Sequence, residues 1–103
     1  MTPTPAPSYD ETLREDRRLC ALQILAGCAD YTAHAHLLRD RLDTLGHRPS
    51  MDQLRVDLAW LDEQGLIVLA DGAIPVATLT LRGEDAARGR AQLPGVARPR
   101  PVG

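Results

Sequence analysis

The sequence contains neither phenylalanine nor lysine, and it has only one tryptophan and two tyrosines. A hydrophobic core in this chain must therefore be built from leucine, alanine, isoleucine and valine. The hydrophobic share of 44% is ordinary for a globular protein, and 103 residues suffice for one small core but not for two. Because all twelve basic residues are arginines, we attribute the missing lysine to a GC-rich genome rather than to a function.

Long apolar runs are also missing. No stretch approaches the roughly 20 apolar residues needed to span a membrane, and no signal-peptide pattern opens the chain. We therefore expect a soluble cytoplasmic protein without a membrane partner. The formal net charge of −2 is not typical of a protein that coats nucleic acid.

Cysteine is scarce, with Cys20 and Cys28 on one predicted helix. Their Cα atoms would lie about 12 Å apart along that helix, which is too far for a disulfide bond. A zinc site needs close pairs of cysteine and histidine, and Cys28, His34 and His36 do not make a recognisable one. We expect reduced thiols, histidines in surface or capping roles, no metal and no cofactor.

The most informative stretch runs from Ser50 to Val68. Ser50 and Gln53 have the spacing of a capping box, which predicts that a helix begins here. Apolar residues then recur at helical spacing: Leu54, Leu58 and Leu61. Gly65 supplies a left-handed residue that ends the helix, and residues 66–69 are rich in strand-forming side chains. A helix that ends at glycine and continues into a strand predicts the middle of a winged helix-turn-helix.

The rest of the chain is arranged around this stretch. Residues 1–9 are predicted to be a disordered Pro-rich tail, residues 10–90 a winged-helix domain, and residues 91–103 an extended, basic, Pro-rich tail. The first helix is predicted from about Asp10 to Cys28. Its second half is apolar nearly all round, which suggests that a second copy of the chain covers it. The predicted homodimer interface comprises Leu19, Leu22, Ile24 and Leu25.

The remaining elements follow from caps and turns. Thr32 is predicted to cap a second helix that ends near Leu45, and residues 46–49 form the short turn of a helix-turn-helix. Asp71-Gly72, between β-like runs at residues 66–70 and 74–80, predicts a hairpin that would be the wing. Thr80 is predicted to cap a fourth helix that ends near Arg90. The predicted fold class is α+β, mainly α: a winged helix-turn-helix with a three-helix core, a β-hairpin wing and a C-terminal helix.

Four segments resemble the small winged-helix proteins encoded in Mu-like phages and prophages. They are Leu13-Arg14-Glu15-Asp16-x-Arg18-Leu19, Leu45-Gly46-His47, Arg55-x-Asp57-Leu58-Ala59-Trp60-Leu61-x-Glu63-Gln64-Gly65-Leu66 and Leu93-Pro94-Gly95-Val96-x-Arg98-Pro99. More broadly, residues 50–67 resemble the recognition-helix-to-wing segment of ArsR-like regulators, and Leu79-Thr80-x-x-Gly83 resembles the junction that closes such domains. The resemblance covers roughly residues 12–99 and implies the fold rather than an activity.

In a helix-turn-helix protein the second helix of the motif enters the major groove of double-stranded DNA. Gln53 can read adenine and Arg55 can read guanine, while Arg48 and the C-terminal arginines can contact phosphates. For Arg55 an ion pair with Asp52 is the alternative interpretation. The predicted DNA-binding residues are Arg48, Ser50, Met51, Gln53, Arg55, Val56, Arg82, Arg88 and Arg90.

Charge leaves a second interpretation open. The third helix is rich in acidic residues and the wing has no arginine, whereas phosphate contact needs positive charge. The alternative is a protein-interaction module of phage packaging or assembly, in which the acidic helix and the apolar wing near Ile74 contact a phage or host protein. We do not expect an enzyme, because the sequence has no Gly-rich phosphate loop and no recognisable catalytic triad.

Overall fold

The structure is a computed structural model and describes residues 8–100. Its elements, in chain order, are α1 (Tyr9–Ala26), a short 3-10 turn (Ala29–Tyr31), β1 (Thr32–His34), α2 (Ala35–Thr44), α3 (Met51–Glu63), β2 (Ile67–Ala70), β3 (Val76–Leu79) and α4 (Leu81–Ala87). The central strand β3 is antiparallel to both β1 and β2. The fold class α+β, mainly helical, is confirmed. Among residues 8–100 no helix is both long and apolar enough to cross a membrane.

Helix α1 begins one residue earlier than predicted, at Tyr9, because the Ser8 hydroxyl accepts a hydrogen bond from the Glu11 N–H at 3.1 Å. Ser8 and Tyr9 therefore belong to the folded part. The rest of the predicted N-terminal tail, residues 1–7, lies outside the described residues, as do residues 101–103 of the C-terminal tail. The helix ends at Ala26 and not at Cys28, since Gly27 closes it by donating to carbonyls of the last turn.

The apolar half of α1 is covered by the chain itself. Leu19, Leu22 and Leu25 are at most 5% exposed, because α2, α4 and β3 pack against them. Ile24 is half-buried against the same core. Leu19, Leu22 and Leu25 therefore have little surface left for a second copy, and the homodimer interface stays a prediction.

Strand β1 was not predicted from the sequence. Thr32 pairs with Thr78 across the sheet, and their hydroxyls lie 3.0 Å apart, so Thr32 does not cap α2. That cap is His34, whose Nδ1 accepts a hydrogen bond from the Leu37 N–H at 3.2 Å. The capping role expected of a histidine in this region is confirmed. A strand of three residues is too short for its alternation to be recognised in sequence.

Helix α3 has the predicted construction. The Ser50 hydroxyl and the Gln53 side chain each accept a hydrogen bond from the other residue's N–H, at 3.1 and 3.0 Å. The three leucines at helical spacing form a leucine stripe and are at most 1% exposed: Leu54, Leu58 and Leu61. Gly65 has φ of +74° and ends the helix just before β2.

The β2–β3 hairpin is shorter than predicted, because Pro75 precedes β3 instead of joining it. Its carbonyl accepts a hydrogen bond from the Ala35 N–H at 2.8 Å and so ties the hairpin to the start of α2. Thr80 caps α4 as predicted, accepting from the Gly83 N–H at 3.0 Å. The helix ends at Ala87 and not near Arg90, since Gly89 adopts the left-handed conformation.

A buried carboxylate joins α1 to α3. Asp57 is only 2% exposed and accepts hydrogen bonds from Arg17 Nε at 2.6 Å and Arg18 Nε at 3.3 Å. The Arg18 guanidinium also lies over the Trp60 ring, 4.0 Å from its centroid. We call Arg17, Arg18, Asp57 and Trp60 the arginine–aspartate cluster. Among the described residues, every buried side-chain nitrogen or oxygen atom has a hydrogen-bond partner.

The segment after α4 packs against this cluster. The Gly95 carbonyl accepts a hydrogen bond from Arg18 Nη1 at 3.1 Å, and the Ala97 N–H donates to the Glu15 carbonyl at 3.1 Å. Gly95 has φ of +92°, and a Cβ there would lie 2.6 Å from the Trp60 ring. Val96 is buried as well. Residues 95–97 of the predicted C-terminal tail therefore pack as part of the folded domain.

The contact between α4 and the start of β2 can be tested at Gly83, where a Cβ would lie 2.0 Å from the Leu66 carbonyl oxygen. In an exposed helix Gly→Ala is stabilising, but here the backbone must move. We expect Gly83→Ala to lower the free energy of unfolding by about 2 kcal/mol and the melting temperature by roughly 10 °C.

The matched control is Gly72→Ala, because no atom lies within 4 Å of a Cβ at that position. Urea unfolding of both variants should show a change of less than about 0.5 kcal/mol for the control. A Gly83→Ala variant as stable as the unchanged protein would contradict the close packing of α4.

Candidate functional site

The exposed face at the N-terminal end of α3 is the candidate site. Gln53 is exposed and Val56 is 67% exposed, whereas Met51 is half-buried against the core. The oxygen of the Gln53 side chain is occupied by the Ser50 N–H, which leaves its NH₂ group to donate. Bidentate reading of adenine uses both groups, and the oxygen has a second lone pair with which to accept from adenine while it also accepts from Ser50.

A shallow cleft of about 360 Å³ separates this face from α1. We call it the α1–α3 cleft; its lining residues are Arg14, Arg17, Arg18, Asp52, Gln53, Val56 and Asp57. Asp57 engages Arg17 and Arg18, whereas Arg14 is exposed at the rim. Arg14 was not among the predicted DNA-binding residues. Its charge was visible, but its proximity to Gln53 depends on the packing of α1 against α3.

Arg55 has a different role from either predicted one. Its Nη2 donates to the Ala73 carbonyl at 3.0 Å, and its Nη1 lies 3.6 Å from the Asp71 carboxylate. Both partners belong to the turn of the β2–β3 hairpin, so Arg55 fixes this turn beside α3. The alternative ion pair with Asp52 is not formed. The Arg55 side chain is still 40% exposed, and its contact with a base stays a prediction.

The other predicted arginines do not gather at the N-terminus of α3. Arg48 is close to it, 83% exposed, and pairs with Asp43 at 2.9 Å. Arg82 donates to the Gln64 carbonyl at 3.1 Å, at the opposite end of α3. A helix rising 1.5 Å per residue places Gln64 about 16 Å from Gln53 along its axis. Three further ion pairs join Arg88 to Glu84, and Arg90 to both Asp85 and Glu84.

A second group of polar side chains lies where α1 meets the turn before α3. His47 Nε2 is 2.6 Å from Asp16 Oδ2, and Cys20 Sγ is 3.9 Å from the same oxygen. Burial, and then the negative charge of Asp16 and the hydrogen bond to it, raises the pKa of Cys20 to about 11. The carboxylate lies between the thiol and the imidazole, so no base activates the thiol. This is not the arrangement of a cysteine nucleophile.

Comparison with known proteins identifies relatives in a phage and in a bacterium. The chain is 44% identical over 93 residues to "Uncharacterized protein gp26" of Escherichia phage Mu, which covers 89% of this chain and 96% of that protein. It is 41% identical over 78 residues to a Haemophilus influenzae protein, covering 73% of this chain and 74% of that protein. No family model and no solved structure matches the chain. The resemblance to Mu-like phage proteins is thus confirmed, while the ArsR-like level stays a prediction. The chain belongs to the family of the phage Mu protein gp26.

Proposed function

We propose that the chain is a winged-helix DNA-binding protein of a Mu-like phage or prophage, acting as a transcriptional regulator or DNA-site recogniser. The order of helices and strands, with β3 between β1 and β2, supports this interpretation. In it, α2 and α3 form the helix-turn-helix and the β2–β3 hairpin forms the wing.

The observation that carries the proposal is that α3 has one buried face and one exposed face. Its leucine stripe faces the core, so the face with Gln53 and Val56 is left for the major groove. Gln53 donates to a base edge, and Val56 offers an apolar contact to a thymine methyl group. Arg14 on the rim of the α1–α3 cleft and Arg48 in the preceding turn contact phosphates on either side of this face.

Arg55 positions the wing in this scheme and does not read a base. Its bonds to Ala73 and Asp71 keep the hairpin turn at a fixed place beside α3. Arg82 lies at the opposite end of α3, and Arg88 and Arg90 lie just beyond the end of α4, so this scheme leaves them out of the interface at the N-terminus of α3. Few phosphate contacts then remain. Two of them correspond to a slope of roughly −2 when the logarithm of the association constant is plotted against that of salt.

Fluorescence anisotropy with labelled duplexes from the chain's own genomic neighbourhood tests this proposal. Arg14→Ala should weaken binding to every duplex and reduce the salt slope by about 1. Gln53→Glu keeps the capping box but removes a donor and adds a negative charge beside the DNA. We expect it to weaken binding to the preferred duplex about tenfold or more.

The control is Arg88→Ala, whose guanidinium is paired with Glu84 on α4. Its affinity should remain close to that of the unchanged protein at near-physiological salt. Absence of binding to any duplex even at low salt, or unchanged affinity in Gln53→Glu, would refute α3 as the reader.

Exposed apolar side chains near the hairpin favour the second candidate, a protein-docking module without DNA binding. Ile74 is 49% exposed and follows Ala73, whose carbonyl accepts the hydrogen bond from Arg55. Val56, which follows Arg55, is also exposed. If this face docks on a phage or host protein, Ile74→Asp should abolish capture of that protein in a pull-down from phage-producing cells. Leu81→Asp is the matched control, because Leu81 is 75% exposed on α4, away from the hairpin turn. Equal capture by both variants would exclude the hairpin as the docking face.

A further inference from the structure

Three side chains with different donor atoms meet beside α1. Asp16 and Cys20 are one helical turn apart and project from the same side of α1, while His47 reaches them from the turn between α2 and α3. One donor atom from each residue lies within 4.8 Å of the other two. A carboxylate oxygen, a thiol sulfur and an imidazole nitrogen are the donors that zinc takes in proteins.

The backbone around these side chains is well fixed. Cys20 and Asp16 lie in the middle of an 18-residue helix. The His47 N–H donates to the Leu42 carbonyl at 2.9 Å, immediately after Gly46 with φ of +89°. Side-chain rotation alone can therefore adjust the three donor atoms.

The present distances are near those of a tetrahedral site. Zinc bonds of 2.0–2.3 Å place neighbouring donors roughly 3.5 Å apart. The Cys20–Asp16 separation of 3.9 Å is already close to that value, whereas the Asp16–His47 hydrogen bond of 2.6 Å must lengthen by about 1 Å. Without an ion, this hydrogen bond holds the two side chains together.

We propose that Asp16, Cys20 and His47 bind one zinc ion, with solvent as the fourth ligand. The ion has a route of entry, because the Asp16 side chain is 45% exposed and borders a cavity of about 340 Å³. The same cavity is lined by Arg98 and Arg100, whose positive charges oppose cation binding. The site is therefore weaker than a closed site with four cysteine or histidine ligands.

Binding has a defined proton balance. The S–H bond of Cys20 breaks, a sulfur–zinc bond forms, and the proton passes to the buffer. The Nε2–H bond of His47, which donates to Asp16, must also break. In a neutral imidazole this proton is replaced by one taken up from solvent at Nδ1, so that the ring coordinates through the Nε2 lone pair and carries its hydrogen on Nδ1. Asp16 exchanges its hydrogen bonds from the thiol and the imidazole for a bond to zinc. The ion then joins α1 to the turn that precedes α3 and fixes that turn more firmly.

Cobalt and zinc titrations of the reduced, untagged full chain test this site. Cobalt(II) should give the near-ultraviolet charge-transfer band of a cobalt–thiolate bond, and one equivalent of zinc should remove it. Zinc should also raise the melting temperature of the unchanged protein, because it binds the folded state. Cys20→Ser and His47→Gln should each lose the band and the temperature shift.

Two matched controls separate this site from the chain's other cysteine and histidines. Cys28→Ser and His36→Gln should both retain the cobalt band and the zinc-dependent shift, since neither residue belongs to the group. Circular dichroism establishes that each variant is folded, and Cys20→Ser is the smaller perturbation if His47→Gln is unstable. The proposal is overturned if the unchanged protein shows neither signal, or if Cys20→Ser shows both at the same metal concentration.

Discussion

The buried carboxylate of Asp57 is the interaction on which the rest of the structure depends. It is almost fully buried, so removing the guanidinium groups of Arg17 and Arg18 would leave a buried charge without a partner. That requirement fixes how α1 lies against α3. Arg18 extends the constraint, because it stacks on Trp60 and donates to the Gly95 carbonyl. Asp57 and its two arginine partners therefore connect two helices and the segment after α4.

The same contacts join the four segments that resemble Mu-like phage proteins. Arg18 comes from the first of the four segments, Asp57 and Trp60 from the third, and Gly95 from the fourth, and the structure brings them together. The first and second segments also meet, through Asp16 and His47. The resemblance is thus concentrated in residues that hold the fold. On the exposed face of α3, Gln53 lies outside those segments and Val56 is an unmatched position within the third, which is why the resemblance says little about what that face binds.

Features encoded within a few residues could be predicted from the sequence. The Ser50 capping box, the left-handed Gly65 and the Thr80 cap each depend on neighbours three or four positions away. Long-range pairings could not be predicted, because the sequence alone does not distinguish a solvent-exposed charged residue on a helix from a buried one with a partner. Asp57 with Arg17 and Arg18, and Arg55 with the hairpin turn, are of this kind. For the same reason the apolar half of α1 suggested a second copy, although the chain's own helices cover it.

The most direct test of this account is a double-mutant cycle between Arg18 and Asp57, measured by urea unfolding. Arg18→Met keeps an unbranched apolar side chain beside Trp60 but removes the guanidinium, and Asp57→Asn retains the shape of the aspartate. We predict a coupling energy of about 1.5–3 kcal/mol, as for a buried pair with charged hydrogen bonds. The exposed pair Arg48–Asp43 should give no more than about 0.5 kcal/mol in the same experiment. A coupling between Arg18 and Asp57 as small as that of the exposed pair would contradict the central role of the buried carboxylate.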